Sequence, residues 1–155
     1  MSFLLDTNVV SDWMKPHPNP GLIAWLEEVD EDRVYLSVVT LTELRYGIER
    51  LAVGKRRKRL DDWLQHELPL RFEGRILSID STVADACGKL VAHREALGRP
   101  IEAMDAFLAA AAEVHHLTLV TRNDSDFDHT VRSILNPGLS TKIGLLWGRV
   151  AAEPC

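Results

Sequence analysis

Six residues of this chain carry side chains suited to holding a hard cation or handling a proton: Asp6, Glu43, Asp105, Asn123, Asp124 and Asp126. Asp6 ends the apolar run Phe3-Leu4-Leu5, and Asn123, Asp124 and Asp126 closely follow Leu117-Thr118-Leu119-Val120-Thr121. Both runs read as buried strands. In a parallel α/β sheet, ligands gather beyond the C-terminal strand ends, so these groups reach one edge. Glu43 lies in Thr40-Leu41-Thr42-Glu43-Leu44, and Asp105 sits between Met104 and Ala106-Phe107-Leu108. An acid hemmed in by core positions is costly to bury unless it is paired, hydrogen-bonded or bound to metal.

Each acid also has a plainer reading. Asp6 serves as a helix N-cap, and Asp124 and Asp126 serve as turn residues. Glu43 closes a capping box with Thr40, and Asp105 complements a helix dipole. Acids at strand ends and helix starts that can converge on one edge favour a shared site over separate coincidences. Carboxylates gathered there repel one another and require a cation. All-oxygen ligation selects Mg²⁺ or Mn²⁺ over zinc. Such an ion polarises phosphoryl oxygens and acidifies water, which suits phosphodiester hydrolysis.

The elements that position these residues alternate between strand and helix. Thr7 or Asn8 caps a short helix through Trp13, stopped by Pro16, Pro18 and Pro20. A second helix starts near Pro20, and its acidic end, Glu27 to Asp32, is expected to fray or be solvated. Strand Val34-Tyr35-Leu36 leads into a helix over 39–52, with Leu41, Leu44, Ile48 and Leu51 inward and Gly54 as its terminal cap. The basic run then leads into a helix through Leu60, Trp63 and Leu64. Ile76 to Asp80 forms a third strand, followed by a long helix ending near Gly98-Arg99-Pro100. The helix over 102–115 contains Ala109-Ala110-Ala111-Ala112, whose small side chains allow close packing. Ile134-Leu135-Asn136 adds an edge strand. The pattern predicts one α/β domain over residues 1–155, a sandwich with a mostly parallel central sheet.

Composition narrows the function classes. The 155 residues are 46% hydrophobic and 26% charged, which excludes disordered and fibrous classes. A domain of this size buries roughly 68–70% of its unfolded surface and needs no staple. Two cysteines, Cys87 and Cys155, make neither a disulfide framework nor a thiolate zinc site, so a reducing cytoplasm is expected. No apolar stretch approaches a membrane span, and no signal peptide is expected. The net charge is −5, yet the segment 45–59 carries seven basic residues against one acid, Glu49. Such a surface on an acidic body can meet a polyanion.

Taken in order, Leu4-Leu5-Asp6-Thr7-Asn8, Thr40-Leu41-Thr42-Glu43-Leu44, Asp105 before small helical residues, and Leu119-Val120-Thr121-Arg122-Asn123 with Asp126-Phe127 resemble a PIN domain. Within that family the chain is most similar to the VapC and FitB-like toxins of bacterial toxin–antitoxin pairs, over essentially its whole length. The resemblance implies a PIN-like α/β/α sandwich and a Mg²⁺-dependent endoribonuclease (Mn²⁺ as an alternative). It also implies a single-stranded RNA substrate, a VapB-like antitoxin and a homodimer. Asp6, Glu43 and Asp105 match the three principal acids and would hold the metal. The fourth acid position holds Asn123, which can still coordinate through its amide oxygen or orient a water. The alternative is that Asp124 or Asp126 substitutes, with Asp126 favoured because Phe127 can anchor its loop.

Asn8, Thr40 and Thr121 are candidates for a supporting shell around the acids. Arg122 either meets a phosphate or neutralises neighbouring acids. Lys55-Arg56-Arg57-Lys58-Arg59 most often makes a solvated face, the alternative being an RNA-backbone contact. His115 and His116 are adjacent on a helix and make no metal pair, and no histidine stands beside an acid motif, which argues against a metal-free route. Trp13, Trp25 and Trp63 read as core or interface packing, and the helices around Trp25 and Trp63 carry more aromatic surface than a small core requires. Two rivals remain. One is a non-catalytic RNA- or partner-binding module, supported by Asn123 and opposed by the concentrated negative charge. The other is a flap-type DNA nuclease, weakened by the lack of further domains.

Overall fold

The computed structural model describes residues 1–127, 130, 131 and 133–137, and Cys155 lies outside them. The central sheet has five parallel strands in the order β3-β2-β1-β4-β5: β1 Phe3–Leu5, β2 Val34–Ser37, β3 Ile76–Leu77, β4 Thr118–Val120 and β5 Ile134–Leu135. The helices are α1 Thr7–Trp13, α2 Pro20–Glu28, α3 Val38–Glu49, α4 Lys55–Asp62, α5 Leu68–Arg71, α6 Ser81–Ala96 and α7 Ala103–Val114. This is the α/β/α sandwich that the alternation of periods requires. Chain order reverses about β1, which pairs with β2 on one side and β4 on the other. The crevice between the ends of β1 and β4 is therefore the topological switch point, where an open α/β sheet binds ligands.

Strand alternation sends neighbouring side chains to opposite layers. Phe3, Leu5, Val34, Leu36 and Val120 join the core beneath α1, α2 and α3. Leu4 and Leu119 join the other core, against α6 and α7. Ala109, Ala110, Ala111 and Ala112 of α7 are at most 1% exposed, so their lack of bulk sets how closely α7 lies on the sheet.

Several boundaries differ from the sequence reading, each for a local reason. Asp6, not Thr7 or Asn8, caps α1, because its carboxylate accepts from the Thr7 N–H. Ser37 caps α3 by accepting from Val39 N–H at 3.1 Å, so Thr40 is not a cap and Glu43 is not the acid of a capping box. The helix ends at Glu49, not Ala52. Gly54 stands at the N-terminus of α4 rather than ending α3, and the basic run is itself that helix. The strand expected over 76–80 is two residues long. The acidic end of α2 is solvated, one of the two expected outcomes, with Glu27, Glu28, Asp30, Glu31 and Asp32 all exposed. It does not fray, because Glu31–Arg33 forms a 3-10 turn held by Arg71 on the Glu31 carboxylate and Arg75 on its carbonyl. Trp25 packs edge-on against Phe3 and is 7% exposed. Trp63 packs against the same core, so these aromatics supply core rather than surplus surface.

If α7 depends on small side chains, Ala110→Leu should cost roughly 1–3 kcal/mol of stability through overpacking. The exposed Ala103→Leu should leave urea midpoints nearly unchanged. Equal midpoints for the two variants would show that α7 is loosely seated.

Candidate functional site

The edge built by the ends of β1 and β4 holds Asp6 and Thr121, and α3 and α7 bring Glu43 and Asp105 towards it. Asp6 is fixed from three directions. Its backbone N–H donates to Val120 C=O at 2.8 Å, so the sheet ladder places its Cα. Its Oδ1 accepts from Thr7 N–H at 2.7 Å, and its Oδ2 accepts from the Thr121 hydroxyl at 2.8 Å. The capping role and the site role of Asp6 are therefore one arrangement. The cap holds a buried carboxylate in place.

Thr121 is fully buried, and its single hydroxyl proton is committed to Asp6. Its oxygen accepts from Asn123 N–H at 3.0 Å and Asn8 Nδ2 at 3.4 Å, which uses its remaining capacity. Asn8 also accepts from Arg122 N–H at 3.3 Å. Asn8 and Thr121 thus brace the turn after β4 against α1. Thr7, which sequence reasoning did not single out for the site, ties two acids together. Its N–H holds Asp6, while its hydroxyl donates to Glu43 Oε1 at 2.7 Å and lies 3.1 Å from the Thr40 hydroxyl. The only sequence signal for Thr7 is its place beside Asp6, because its second partner is 36 residues away.

Burial pushes the Asp6 carboxyl above its usual range, the hydrogen bonds from Thr121 and Thr7 pull it back, and the charges of Glu43 and Asp126 push it up again. Asp105, half-buried in the first turn of α7, is raised to about 6, first by burial and then by Asp6, Glu43, Asp126 and Glu102. No cation figures among these causes. Four acids, Asp6, Glu43, Asp105 and Asp126, therefore share one electrostatic field.

Asp126 belongs to the 3-10 turn Asp124–Phe127, which Phe127 anchors by near-complete burial. The buried Arg94 donates to the Asp126 carbonyl at 3.2 Å and braces the turn from α6. Asp124 is half-buried, and its charge does not figure in the shifts of Asp6 or Asp105. Asn123 is exposed, and its backbone serves the turn by donating to Thr121 and accepting from Asp126 N–H at 3.1 Å. Arg122 does not neutralise these acids. It pairs at 3.1 Å with Asp12, a buried carboxylate that also accepts from Asn19 N–H.

The donor set is all oxygen, a chemistry that suits a hard divalent ion, and Asp6, Glu43 and Asp105 are the residues that could hold one. The side chains do not form a finished cage: among the described residues, no three acid, histidine or cysteine groups are drawn tightly enough together to hold an ion. Mutual repulsion, and the hydrogen bonds that occupy Asp6 and Glu43, account for that spacing.

The PIN domain family matches residues 3–132 of the chain. Toxin FitB of Neisseria gonorrhoeae is 37% identical over 134 residues, covering 86% of this chain and 96% of that protein. VapC ribonuclease Y4jK of Sinorhizobium fredii is 33% identical with the same coverage. The solved structure of FitAB bound to the IR36 DNA fragment contains a chain 34% identical, with a TM-score of 0.83, covering 89% of this chain and 96% of that one.

The shift of Asp105 makes a stability prediction. Its folded value of about 6 lies above an unfolded carboxyl near 3.9, so the folded state binds more protons between those values. The stabilisation is complete below about pH 4 and lost as pH rises through about 6. In EDTA, Asp105→Asn should therefore gain on the wild type in melting temperature as pH rises from 4 to 7. A constant difference across that range would contradict the shared field.

Proposed function

The chain belongs to the PIN-domain family, and from that premise we propose that it is an endoribonuclease, the toxin of a toxin–antitoxin pair, hydrolysing phosphodiester bonds of single-stranded RNA with Mg²⁺ or Mn²⁺. The observation that carries this reading is the convergence of Asp6, Glu43, Asp105 and Asp126 at one sheet edge, where the negative charges of Glu43 and Asp126 act on both Asp6 and Asp105. A surface meant only to hold RNA gains nothing from such a concentration of negative charge. A bound divalent ion supplies positive charge at the scissile phosphate and lowers the pKa of a water.

The chain's own residues do the rest. Asp6, Glu43 and Asp105 would hold the ion, and Thr7 and Thr121 fix the Asp6 and Glu43 carboxylates in place by hydrogen bonds. Asp126 serves the fourth position, which answers the departure at Asn123. In-line attack by water leaves a 3′-hydroxyl and a 5′-phosphate, a route that needs neither a catalytic histidine nor the ribose 2′-hydroxyl. A small VapB-like antitoxin is the proposed inhibitor. The exposed Val53, Leu70 and Leu97 offer apolar surface for self-association or for that partner. Among the described residues no helix is long and apolar enough to cross a membrane.

Purified protein free of antitoxin should cleave single-stranded RNA with Mg²⁺ or Mn²⁺ and stay inactive in EDTA. Removing a supporting partner of a metal ligand typically costs about 10–100-fold, so Asp6→Asn and Asp105→Asn should lose more than that. Asp126→Ala should lower the rate further than Asn123→Ala or Asp124→Ala at saturating Mg²⁺. Undiminished cleavage by Asp6→Asn and Asp105→Asn would refute the assignment, and equal rates in the three alanine variants would mean that three acids suffice.

A further inference from the structure

Tyr46 is 63% exposed on α3, a large aromatic ring in solvent. It stands three residues after Glu43, with Arg50 four residues further on, so the three share one ridge of the helix. The Arg50 guanidinium lies 5.3 Å from the Tyr46 ring centroid and covers one side of it. Beside it on the ridge is Gly47, where an added Cβ would meet nothing within 4 Å. The ridge thus has an acid of the candidate site at one end, and an aromatic plate with a cation along it.

The chain carries this surface onward. After Arg50 it turns back into α4, which runs antiparallel to α3. Arg45 pairs with Asp61 at 2.5 Å, and Arg57 pairs with Glu49 at 2.8 Å. Those ion pairs take one face of α4. Lys55, Arg56, Lys58 and Arg59 are exposed and have no ion-pair partner among the described residues. Arg59 stands in the last turn of α4, whereas Lys55, Arg56 and Lys58 crowd the first, where the helix dipole disfavours positive charge and no acid offsets it. The fold gains nothing from cations placed there. A polyanion does.

We propose that the Tyr46–Arg50 ridge and the cationic face of α4 form a track for single-stranded RNA, with a base stacked on Tyr46 and phosphates met by Arg50, Lys55, Arg56, Lys58 and Arg59. The proposal rests on the ribonuclease reading and names where its substrate lies. Stacking on an aromatic ring combined with a basic groove is how proteins hold single strands without reading sequence. From Glu43 to Arg50 the helix rises about 10 Å, a span that a few nucleotides cover. Tyr46 is a positioning residue here and touches no reacting atom.

The test is the anisotropy of a fluorescein-labelled single-stranded RNA of about twelve nucleotides, titrated with full-length protein in EDTA so that binding is read without cleavage. Tyr46→Ala should weaken binding roughly 5- to 150-fold, and Tyr46→Phe should restore it. The quadruple variant K55Q/R56Q/K58Q/R59Q should reduce the slope of log affinity against log salt by roughly 2–3, about 0.7 for each phosphate no longer neutralised. Should the quadruple variant fail to fold, the pair R56Q/R59Q should still reduce the slope by roughly 1 to 1.5. Wild-type affinity and slope in Tyr46→Ala and the charge variants would overturn the track. So would a Tyr46→Ala protein that changes oligomeric state while binding RNA normally, since the ridge would then be an interface between copies. Retained variant-sensitive binding in a protein that cuts no RNA with any divalent ion would instead refute the nuclease reading and leave the track standing.

Discussion

Like charges crowded into a partly buried space are the constraint around which this molecule is arranged. Burial raises the proton affinity of Asp6 and Asp105, and the charges of Glu43 and Asp126 raise it further at both. A fold shaped only for stability would separate such groups or set a lysine or arginine among them. Here the neighbouring cation, Arg122, is drawn away to Asp12. The cost of the crowding is offset locally by hydroxyl and amide donors, Thr121 and Thr7, which stabilise charge without adding any.

Topology explains how residues distant in sequence reach the same place. The reversal of strand order at β1 leaves the ends of β1 and β4 side by side, and the Asp6 N–H to Val120 bond makes that proximity part of the sheet itself. Capping chemistry then aims the side chains. The carboxylate that starts α1 is the same carboxylate that faces the acids of α3 and α7, so helix initiation and site assembly cannot be varied independently. Buried polar groups at the periphery, Asp12 and Arg94, brace the turn after β4 from opposite sides.

Much of this was legible in the chain. Phe3–Leu5 and Thr118–Val120 stand out because central parallel strands are buried on both faces and read as unbroken apolar runs. The alanine run of α7 announced close packing, and the acids announced themselves by their positions at element ends. What escaped the sequence depends on distant partners. Thr40 resembles a cap three residues before Glu43, but the helix begins earlier, with Ser37 capping it at Val39 N–H, so Thr40 lies inside it. Gly54 suits either end of a helix, and its extended backbone puts it at the start of α4. The second role of Thr7 exists only once α3 has docked beside α1. Tyr46 carries no sequence mark at all, because a lone tyrosine on an amphipathic helix is equally suited to core or solvent.

The central claim is that these acids form one cation site held in register by hydroxyl donors. Calorimetric titration of Mn²⁺ into the purified protein at neutral pH tests it most directly. The account predicts saturable binding, abolished in Asp105→Asn, weakened about 10–100-fold in Thr7→Val and retained in Thr7→Ser. Wild-type protein that takes up no Mn²⁺, or binding unchanged in both Asp105→Asn and Thr7→Val, would contradict it.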